Sequence, residues 1–192
     1  MTRPFENIYQ QTLEHLHHHD CGTYPFSDGA ALIKRVAMLR PRRILELGTA
    51  LGYTSCCFAN AAPNALIDTV ERDEGHVVLA RANFKDAGIA DRVTVHHGSF
   101  EDVLPNLKHT YDIAFFDGFA PDLAIVVALK SLLSSTGTLI CANLGLAKSA
   151  AQHALKTELS NSEQWQILPA LEQGGTLVAT KHLNNFSSTK EF

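Results

Sequence analysis

The sequence has few of the features that mark nucleic-acid-binding, membrane and extracellular proteins. Its 192 residues carry 16 basic and 20 acidic side chains, a formal net charge of −4, and no block of like charges. A basic surface for nucleic acid or for an anionic membrane is therefore not expected. No apolar run approaches the ~18 residues of a membrane-spanning helix. The first residues, MTRPFENIYQQ, lack the apolar middle of a secretory signal. These absences predict a cytoplasmic protein.

Cysteine is also scarce, and its spacing suggests no metal or disulfide framework. The four cysteines are Cys21, Cys56, Cys57 and Cys141. They form neither the paired spacing of a zinc knuckle nor a dense set of bridges, so we predict reduced thiols. No repeat or low-complexity linker divides the chain, which predicts one domain over residues 1–192 with a loose polar tail over 184–192.

Apolar segments of strand length alternate with helical segments along most of the chain. Strands are predicted at 42–47, 65–71, 92–97, 111–117 and 137–143, and helices at 5–19, 27–39, 52–62, 74–88, 121–133 and 146–160. Two further strands, WQILPA and GTLVATKH, end the chain close together, as in an antiparallel hairpin. This order predicts an α/β fold with a mostly parallel sheet and helices on both faces.

A glycine loop follows the first predicted strand, in the stretch LELGTALGY at residues 45–53. Ligands of open parallel sheets bind beyond the carboxyl ends of the strands, so this loop is a candidate binding site. The dinucleotide fingerprint is G-x-G-x-x-G, but here Ala50 lies where the middle glycine would be and the spacing differs. The loop therefore disfavours a nicotinamide-dependent oxidoreductase.

Two more strand ends carry polar residues at intervals of one βαβ unit. Glu71 ends the second strand about 20 residues beyond the glycines, where a carboxylate can accept hydrogen bonds from ribose hydroxyls. That role suits the ribose of NAD or of S-adenosylmethionine equally. Ser99 and Phe100 follow the third strand and suit an adenine ring, although a turn with a helix cap would explain them as well. Together the three ends predict a nucleoside site.

These motifs resemble class I S-adenosylmethionine-dependent methyltransferases, specifically the catechol and caffeoyl-CoA O-methyltransferase-like group. The resemblance rests on SDGAALIKRVA, RRILELGTALGYTS, TVERDEGHVVLARANFKDAGIADRVTVHHGSFEDVLP, YDIAFFDG, LLSSTGTLICAN and LEQGGTLVATK, and so runs nearly the full length. It implies a Rossmann-like fold with a seven-stranded sheet and a reversed final hairpin. It also implies N-terminal helices over the pocket (residues 1–40), S-adenosylmethionine as cofactor, a small-molecule acceptor and a homodimer.

The resemblance also implies which residues would hold the cofactor. Glu46, Gly48, Gly52 and Thr54 would line its methionine end, Glu71 would hold the ribose, Ser99 and Phe100 the adenine, and Asp117 would lie near the sulfonium. In the transfer step, Asp117 would position the substrate or the donor, and Asn143 would form a hydrogen bond to the substrate. A simpler alternative for Asp117 is a helix cap before PDLAIVV.

The chain departs from the metal-dependent members of this group at two strand ends. Those members carry an Asp-x-Asp-Lys type sequence and an Asp-Asn pair that bind Mg²⁺ and supply a lysine base. Here Ala120 takes the lysine position and Ala142 takes that of a carboxylate ligand. One carboxylate and one amide make a poor magnesium site, so we predict methyl transfer to oxygen without a metal. The alternatives are a nucleoside-binding protein without catalysis and a metal-dependent O-methyltransferase.

The histidine-rich stretch EHLHHHDCG at residues 14–22 allows three interpretations. His15 and His19 lie one helical turn apart and, with Asp20 and Cys21, include ligand types that zinc accepts. Four histidines at a helix end also suit a solvated surface and the negative end of the helix dipole. Because the N-terminal segment of the resembled family covers the pocket, His18 is a third possibility, the general base. Glu172 is either a turn residue or a contact for the acceptor.

Overall fold

The computed structural model describes residues 3–19, 25–146, 148–172 and 175–182. The predicted tail at 184–192 and the candidate ligands Asp20 and Cys21 lie outside these residues. These described residues form seven α-helices: α1 (Glu6–His19), α2 (Gly29–Leu39), α3 (Tyr53–Ala61), α4 (Glu74–Asp86), α5 (Phe100–Val103), α6 (Leu123–Leu132) and α7 (Ser149–Leu159). The strands are β1 (Arg43–Leu47), β2 (Leu66–Glu71), β3 (Val93–His97), β4 (Tyr111–Phe116), β5 (Leu133–Cys141), β6 (Trp165–Leu168) and β7 (Leu177–Lys181).

All seven strands form one sheet, in the order β3-β2-β1-β4-β5-β7-β6. The pairs β1–β2, β1–β4, β2–β3 and β4–β5 are parallel. Strand β7 runs antiparallel to both β5 and β6, between which it lies. The predicted mostly parallel sheet with a reversed final hairpin is therefore confirmed. The strand order reverses at β1, so the carboxyl end of β1 is the expected place for a ligand.

Helices cover both faces of the sheet, and each face has its own apolar core. One core joins inward residues of the strands, such as Ile44 and Phe115, to helices α1 to α4. The other joins the alternate residues, such as Leu45 and Phe116, to α5, α6 and α7. This alternation follows from the two-residue period of a strand whose two sides are both buried. In the described residues, no helix has the length and apolar character needed to cross a membrane.

The sequence predicts the start of α2 at a capping side chain and the end of α4 at a glycine, and the structure has both. Asp28 caps α2 by accepting a hydrogen bond from the backbone N–H of Ala31. Gly88, with φ of +67°, follows α4 and stops it. Asp117 is not the cap of α6, because Asp122 occupies that position and accepts from the N–H of Ile125. The side chain of Asp117 is therefore available to a binding site at the strand ends.

Candidate functional site

A cavity of about 380 Å³ opens at the carboxyl ends of β1 to β5. Seven residues that the sequence predicts for the site line it together: Gly48, Thr54, Glu71, Ser99, Phe100, Asp117 and Asn143. The helical segments before β1 also contribute to its wall through Thr12, Pro25 and Phe26. A cavity of this volume suits a small molecule, since such sites typically measure roughly 300–1,000 Å³.

Three other predicted site residues lie outside the lining of this cavity. Glu46 is fully buried behind it, one residue before the end of β1. Gly52 is packed against the ring of Phe84, which a Cβ at this position would overlap. His18 is exposed on α1 and does not line the cavity that the described residues form. Glu46 and Gly52 are therefore placed to support the loop, and His18 has no contact with the cavity.

Glu46 holds the glycine loop through hydroxyl groups. Its carboxylate accepts hydrogen bonds from Thr54 and Ser55 in the first turn of α3. It also accepts from Thr69 on β2, at 2.6 Å. Burial raises the pKa of Glu46 to about 7, although these three hydroxyls act in the opposite direction. The side chain thus joins β1, β2 and α3 around the loop that lines the cavity.

Gly48 lets the loop approach the neighbouring strand end. Its φ is +96°, and a Cβ at this position would lie 2.6 Å from the carbonyl oxygen of Asp117. Any other residue would therefore be strained in its backbone and would clash with β4's end. Ala50 in the same loop also has a positive φ, +47°. The sequence pattern identifies the need for Gly48 but not the conformation of Ala50.

Glu71 presents its carboxylate to the cavity from the end of β2. Its two oxygens accept from the backbone N–H groups of Ala50 and Asp73, at 2.8 and 2.9 Å. The ring nitrogen Nδ1 of His76 lies 3.7 Å from Oε1. Burial acts to raise the pKa of Glu71, but His76 and the two N–H groups outweigh it and the pKa is lowered. The group is therefore a fixed anion with lone pairs left for ligand hydroxyls.

Ser99 and Phe100 have different roles at the end of β3. The Ser99 hydroxyl caps α5 by accepting from the N–H of Asp102, so the alternative of a helix cap holds for its side chain. Phe100 lines the cavity and lies directly beneath Gly118, where a Cβ would come within 2.7 Å of its ring. The β3 end therefore offers an apolar aromatic wall.

Asp117 and Asn143 meet at the ends of β4 and β5. The Asn143 side-chain amide donates to Asp117 Oδ1 at 2.9 Å and to the Gly118 carbonyl oxygen at 3.1 Å. Asn143 has a φ of +59°, a conformation that asparagine tolerates better than most residues. Burial, together with Glu172 and Glu46, raises the pKa of Asp117 well above its usual range. The pair is thus a coupled hydrogen-bonding unit at the cavity wall.

This pair does not fit a magnesium site. The amide turns its N–H toward the carboxyl of Asp117, whereas Mg²⁺ requires oxygen ligands. Ala142 is buried and Ala120 offers no functional group. Among the described residues, no group of three or more His, Cys, Asp or Glu side chains has a metal-binding arrangement.

Glu172 takes part in a contact between distant segments. Its Oε1 accepts from the backbone N–H and the hydroxyl of Ser27, at 2.8 and 2.6 Å. Its Oε2 accepts from the hydroxyl of Thr176 at 3.2 Å. The residue has a φ of +48°, as a turn residue would. Its carboxylate thus ties the segment before α2 to the turn before β7.

The sequence interpretation missed several residues that line the cavity. His76 lies in the first turn of α4, and Tyr53 in the first turn of α3. Phe119 and Leu146, each 64% exposed, stand at the rim. The capping pattern before α4, in which Asp73 accepts from the N–H of His76, would have placed His76 beside Glu71. No local sequence pattern identifies the rim residues Phe119 and Leu146.

The site lies within a segment that is similar to a known protein family. Residues 45–144, which contain the glycine loop, Glu71 and the Asp117–Asn143 pair, match the family model described as "Methyltransferase domain". The chain belongs to the methyltransferase domain family. The resemblance to class I methyltransferases is thereby confirmed.

Individual relatives of this methyltransferase domain agree with that family. A catechol O-methyltransferase from Niastella koreensis is 33% identical over 111 residues, which are 55% of this chain and 50% of that protein. The chain spans about half the length, or less, of the curated relatives that it matches.

Solved structures share the fold over almost the whole methyltransferase domain. The O-methyltransferase TomG from Streptomyces achromogenes, solved with SAM, has a TM-score of 0.76 and 22% identity, with 91% of this chain and 89% of that one covered. The O-methyltransferase from Bacillus cereus, solved with SAH, has a TM-score of 0.77 and 20% identity, with 93% and 92% covered. At these identities the likeness shows the fold.

Proposed function

We propose that the chain is an S-adenosylmethionine-dependent methyltransferase that methylates an oxygen of a small-molecule acceptor without a metal ion. The observation that carries the proposal is the Glu71 carboxylate, fixed as an anion at the cavity beside the glycine loop. The named activities of the catechol O-methyltransferase and of the two O-methyltransferases support the choice of reaction. A cytoplasmic location and a homodimer stay predictions.

The cavity residues fit the cofactor in chemical type. Glu71 can accept hydrogen bonds from the two ribose hydroxyls. Phe100 offers an apolar face beside an adenine ring, and the backbone around Gly48 allows close approach of the methionine end. When bound, S-adenosylmethionine supplies an electrophilic methyl group. The carbons around the positively charged sulfur would then lie toward Asp117 and Asn143.

The chain's own contribution to the transfer is mainly alignment. Displacement at a methyl group requires the acceptor oxygen and the sulfur to lie in line, and holding them so can supply much of the rate. The linked Asp117 and Asn143 side chains are fixed at the cavity wall and can hydrogen-bond an acceptor hydroxyl. In its ionised form Asp117 can also receive the proton that the hydroxyl loses, because its raised pKa makes it a stronger base than an ordinary carboxylate.

The acceptor side of the cavity has an apolar rim. Phe119 and Leu146 stand at the exposed opening, and Pro25 and the buried Phe26 line the wall below it. Arg72 lies over the Phe119 ring at 5.6 Å. Hydroxylated aromatic compounds match this combination of apolar rim and hydrogen-bonding wall. They are the first acceptors to test.

Calorimetry and methyl-transfer assays test the proposal. We expect S-adenosylhomocysteine to bind, and labelled methyl to pass from S-adenosylmethionine to a phenol or catechol at a rate that EDTA does not change. Binding without transfer to any acceptor would favour a nucleoside-binding protein. Loss of transfer in EDTA, restored by Mg²⁺, would show metal dependence, and binding of NADH alone would point to an oxidoreductase.

Glu71 provides a specific prediction within this proposal. Glu71→Gln keeps the shape but removes the charge, and we expect affinity for S-adenosylhomocysteine to fall roughly 10- to 100-fold, since a hydrogen bond to a charged group contributes about 1.5–3 kcal/mol. Glu74→Gln is the matched control, because Glu74 is exposed three residues away and does not line the cavity. Equal affinities of the two variants would contradict the assigned role.

A further inference from the structure

Helix α1 is joined to the cavity through a row of polar contacts with α4. The Asn83 side-chain amide donates to Gln11 Oε1 at 2.8 Å and to the carbonyl oxygen of Leu51 in the glycine loop at 2.9 Å. One turn further along α1, His15 Nε2 lies 3.1 Å from His76 Nε2. Thr12, between these two contacts on the helix, lines the cavity. This face of α1 is therefore tied to α4 and to the loop at once.

The histidine contact continues to the carboxylate of Glu71. His76 is 5% exposed and lines the cavity, and its Nδ1 lies 3.7 Å from Glu71 Oε1. Its backbone N–H is held by Asp73, whose own N–H donates to the same Glu71 oxygen. The contacts thus lead from His15 to His76 to Glu71, from the surface of α1 to the candidate ribose site.

The contact between the two rings restricts where their protons lie. Two imidazoles whose Nε2 atoms meet need one N–H donor and one bare acceptor nitrogen. The anionic Glu71 favours a proton on His76 Nδ1, and in the neutral form of His76 this makes Nε2 the acceptor. His15 Nε2 then carries the hydrogen and donates it. Burial, His76 and His19 lower the pKa of His15, which favours the neutral donor that this arrangement needs.

We propose that His15 and His76 are positioning residues for the ribose-binding carboxylate of Glu71. His15 orients His76, and His76 orients Glu71, so docking of α1 and recognition of the ribose are coupled. The inference rests on the proposed function, because it takes Glu71 as the group that binds ribose. It gives the histidine-rich stretch a role through His15, distinct from zinc binding and from general-base catalysis by His18.

Paired variants of His15 separate hydrogen bonding from packing. His15→Phe keeps a flat ring but removes the donor, whereas His15→Gln retains an N–H near the position of Nε2. His17→Phe is the matched control, because His17 is exposed on the same helix. We expect His15→Phe to weaken S-adenosylhomocysteine binding by about fivefold to tenfold, the size of one hydrogen bond of about 1 kcal/mol. The affinities of His15→Gln and His17→Phe for S-adenosylhomocysteine should stay within about twofold of the wild-type affinity, a difference below about 0.5 kcal/mol.

A ligand analogue shows whether the effect reaches the ribose. Calorimetry with 2′-deoxy-S-adenosylhomocysteine should show that wild type prefers the full ligand, and that His15→Phe reduces this preference. The positioning role would be overturned if His15→Phe lost equal affinity for both ligands, or lost affinity for neither. Suppose that wild type binds S-adenosylhomocysteine and that Glu71→Gln weakens this binding. Either of these two results for His15→Phe then overturns the positioning role but leaves the proposed function standing. If wild type binds neither ligand, the proposed function itself fails.

Discussion

Glu46 carries a carboxyl group into the interior of the protein, beneath the loop that lines the cavity. It has no cationic partner among its hydrogen bonds, which come from the hydroxyls of Thr54, Ser55 and Thr69. Hydroxyls can either donate or accept, so they satisfy the group whether or not it is protonated. This flexibility explains how a buried carboxyl with a pKa of about 7 is tolerated.

The raised pKa of Glu46 predicts a dependence of stability on pH. Between its ordinary value of 4.5 and about 7, the folded protein keeps a proton that the unfolded chain has lost. The contribution of Glu46 to the free energy of unfolding should therefore be highest below about pH 4.5. It should fall by on the order of 3 kcal/mol as the pH rises from there through about 7.

Urea unfolding of wild type and Glu46→Gln between pH 5 and 8 measures this effect. We expect the free energy of unfolding to decline less steeply with pH in Glu46→Gln than in wild type, because glutamine does not titrate. Some slope should remain, since the pKa of Asp117 is also raised and acts with the same sign. An equal decline in both proteins would show that Glu46 is charged in the folded state throughout this range.

At the scale of elements, the strand ends β1 and β4 are brought together by the absence of a side chain at Gly48. The loop after β1 passes so close to the Asp117 carbonyl that only hydrogen fits between them. This contact sets the distance between the glycine loop and the Asp117–Asn143 pair. The two halves of the proposed reaction, donor binding and acceptor alignment, therefore depend on one backbone approach.

Gly48→Ala should disrupt this approach. We expect the free energy of unfolding to fall by at least about 2 kcal/mol, from left-handed backbone strain and the clash with Asp117 together, and S-adenosylhomocysteine affinity to fall with it. Gly145→Ala is the control, because a Cβ there would meet nothing within 4 Å. Urea unfolding checks both, and a change below about 0.5 kcal/mol in Gly48→Ala would mean that the loop relaxes freely.

For the whole molecule, ligand binding should appear as thermal stabilisation. S-adenosylhomocysteine at 100 times its Kd should add about 2.7 kcal/mol to the free energy of unfolding, which for a chain of this size raises Tm by roughly 5–10 °C. Thermal unfolding followed by fluorescence measures the shift. NADH at the same concentration should give none, and a shift with NADH but not with S-adenosylhomocysteine would reverse the assignment of the cofactor.

The architecture of the whole molecule could be predicted from the sequence because its signals are local. Strands such as YDIAFFD are short apolar runs, and the ends of β1 to β4 agree with the structure to within one residue, whereas β5 begins four residues before its predicted start. The positive φ at Gly48 and Gly88 follows from glycine chemistry. Seven of the ten predicted site residues line the cavity because parallel strands place their carboxyl ends at one edge.

The contacts that sequence could not predict join elements that are far apart in the chain. Burial of Glu46 among hydroxyls depends on how α3 packs on β1 and β2. The meeting of His15 with His76 depends on how α1 lies across α4, over a separation of 61 residues. The periodicity of each helix indicates its buried face but not the partner of that face. The sequence interpretation of the histidines therefore offered several roles and missed the contact between His15 and His76 that reaches the site.

The link between Ser27 and Glu172 has a consequence for how the protein is made. The two residues are 145 positions apart, so the hydrogen bonds between them close one of the longest loops in the fold. Strand β7, which lies between β5 and β6, must also arrive before that edge of the sheet is complete. A chain still emerging from the ribosome can therefore pair β1 to β5 early, but the segment beside the cavity mouth is secured only after Glu172 has been synthesised.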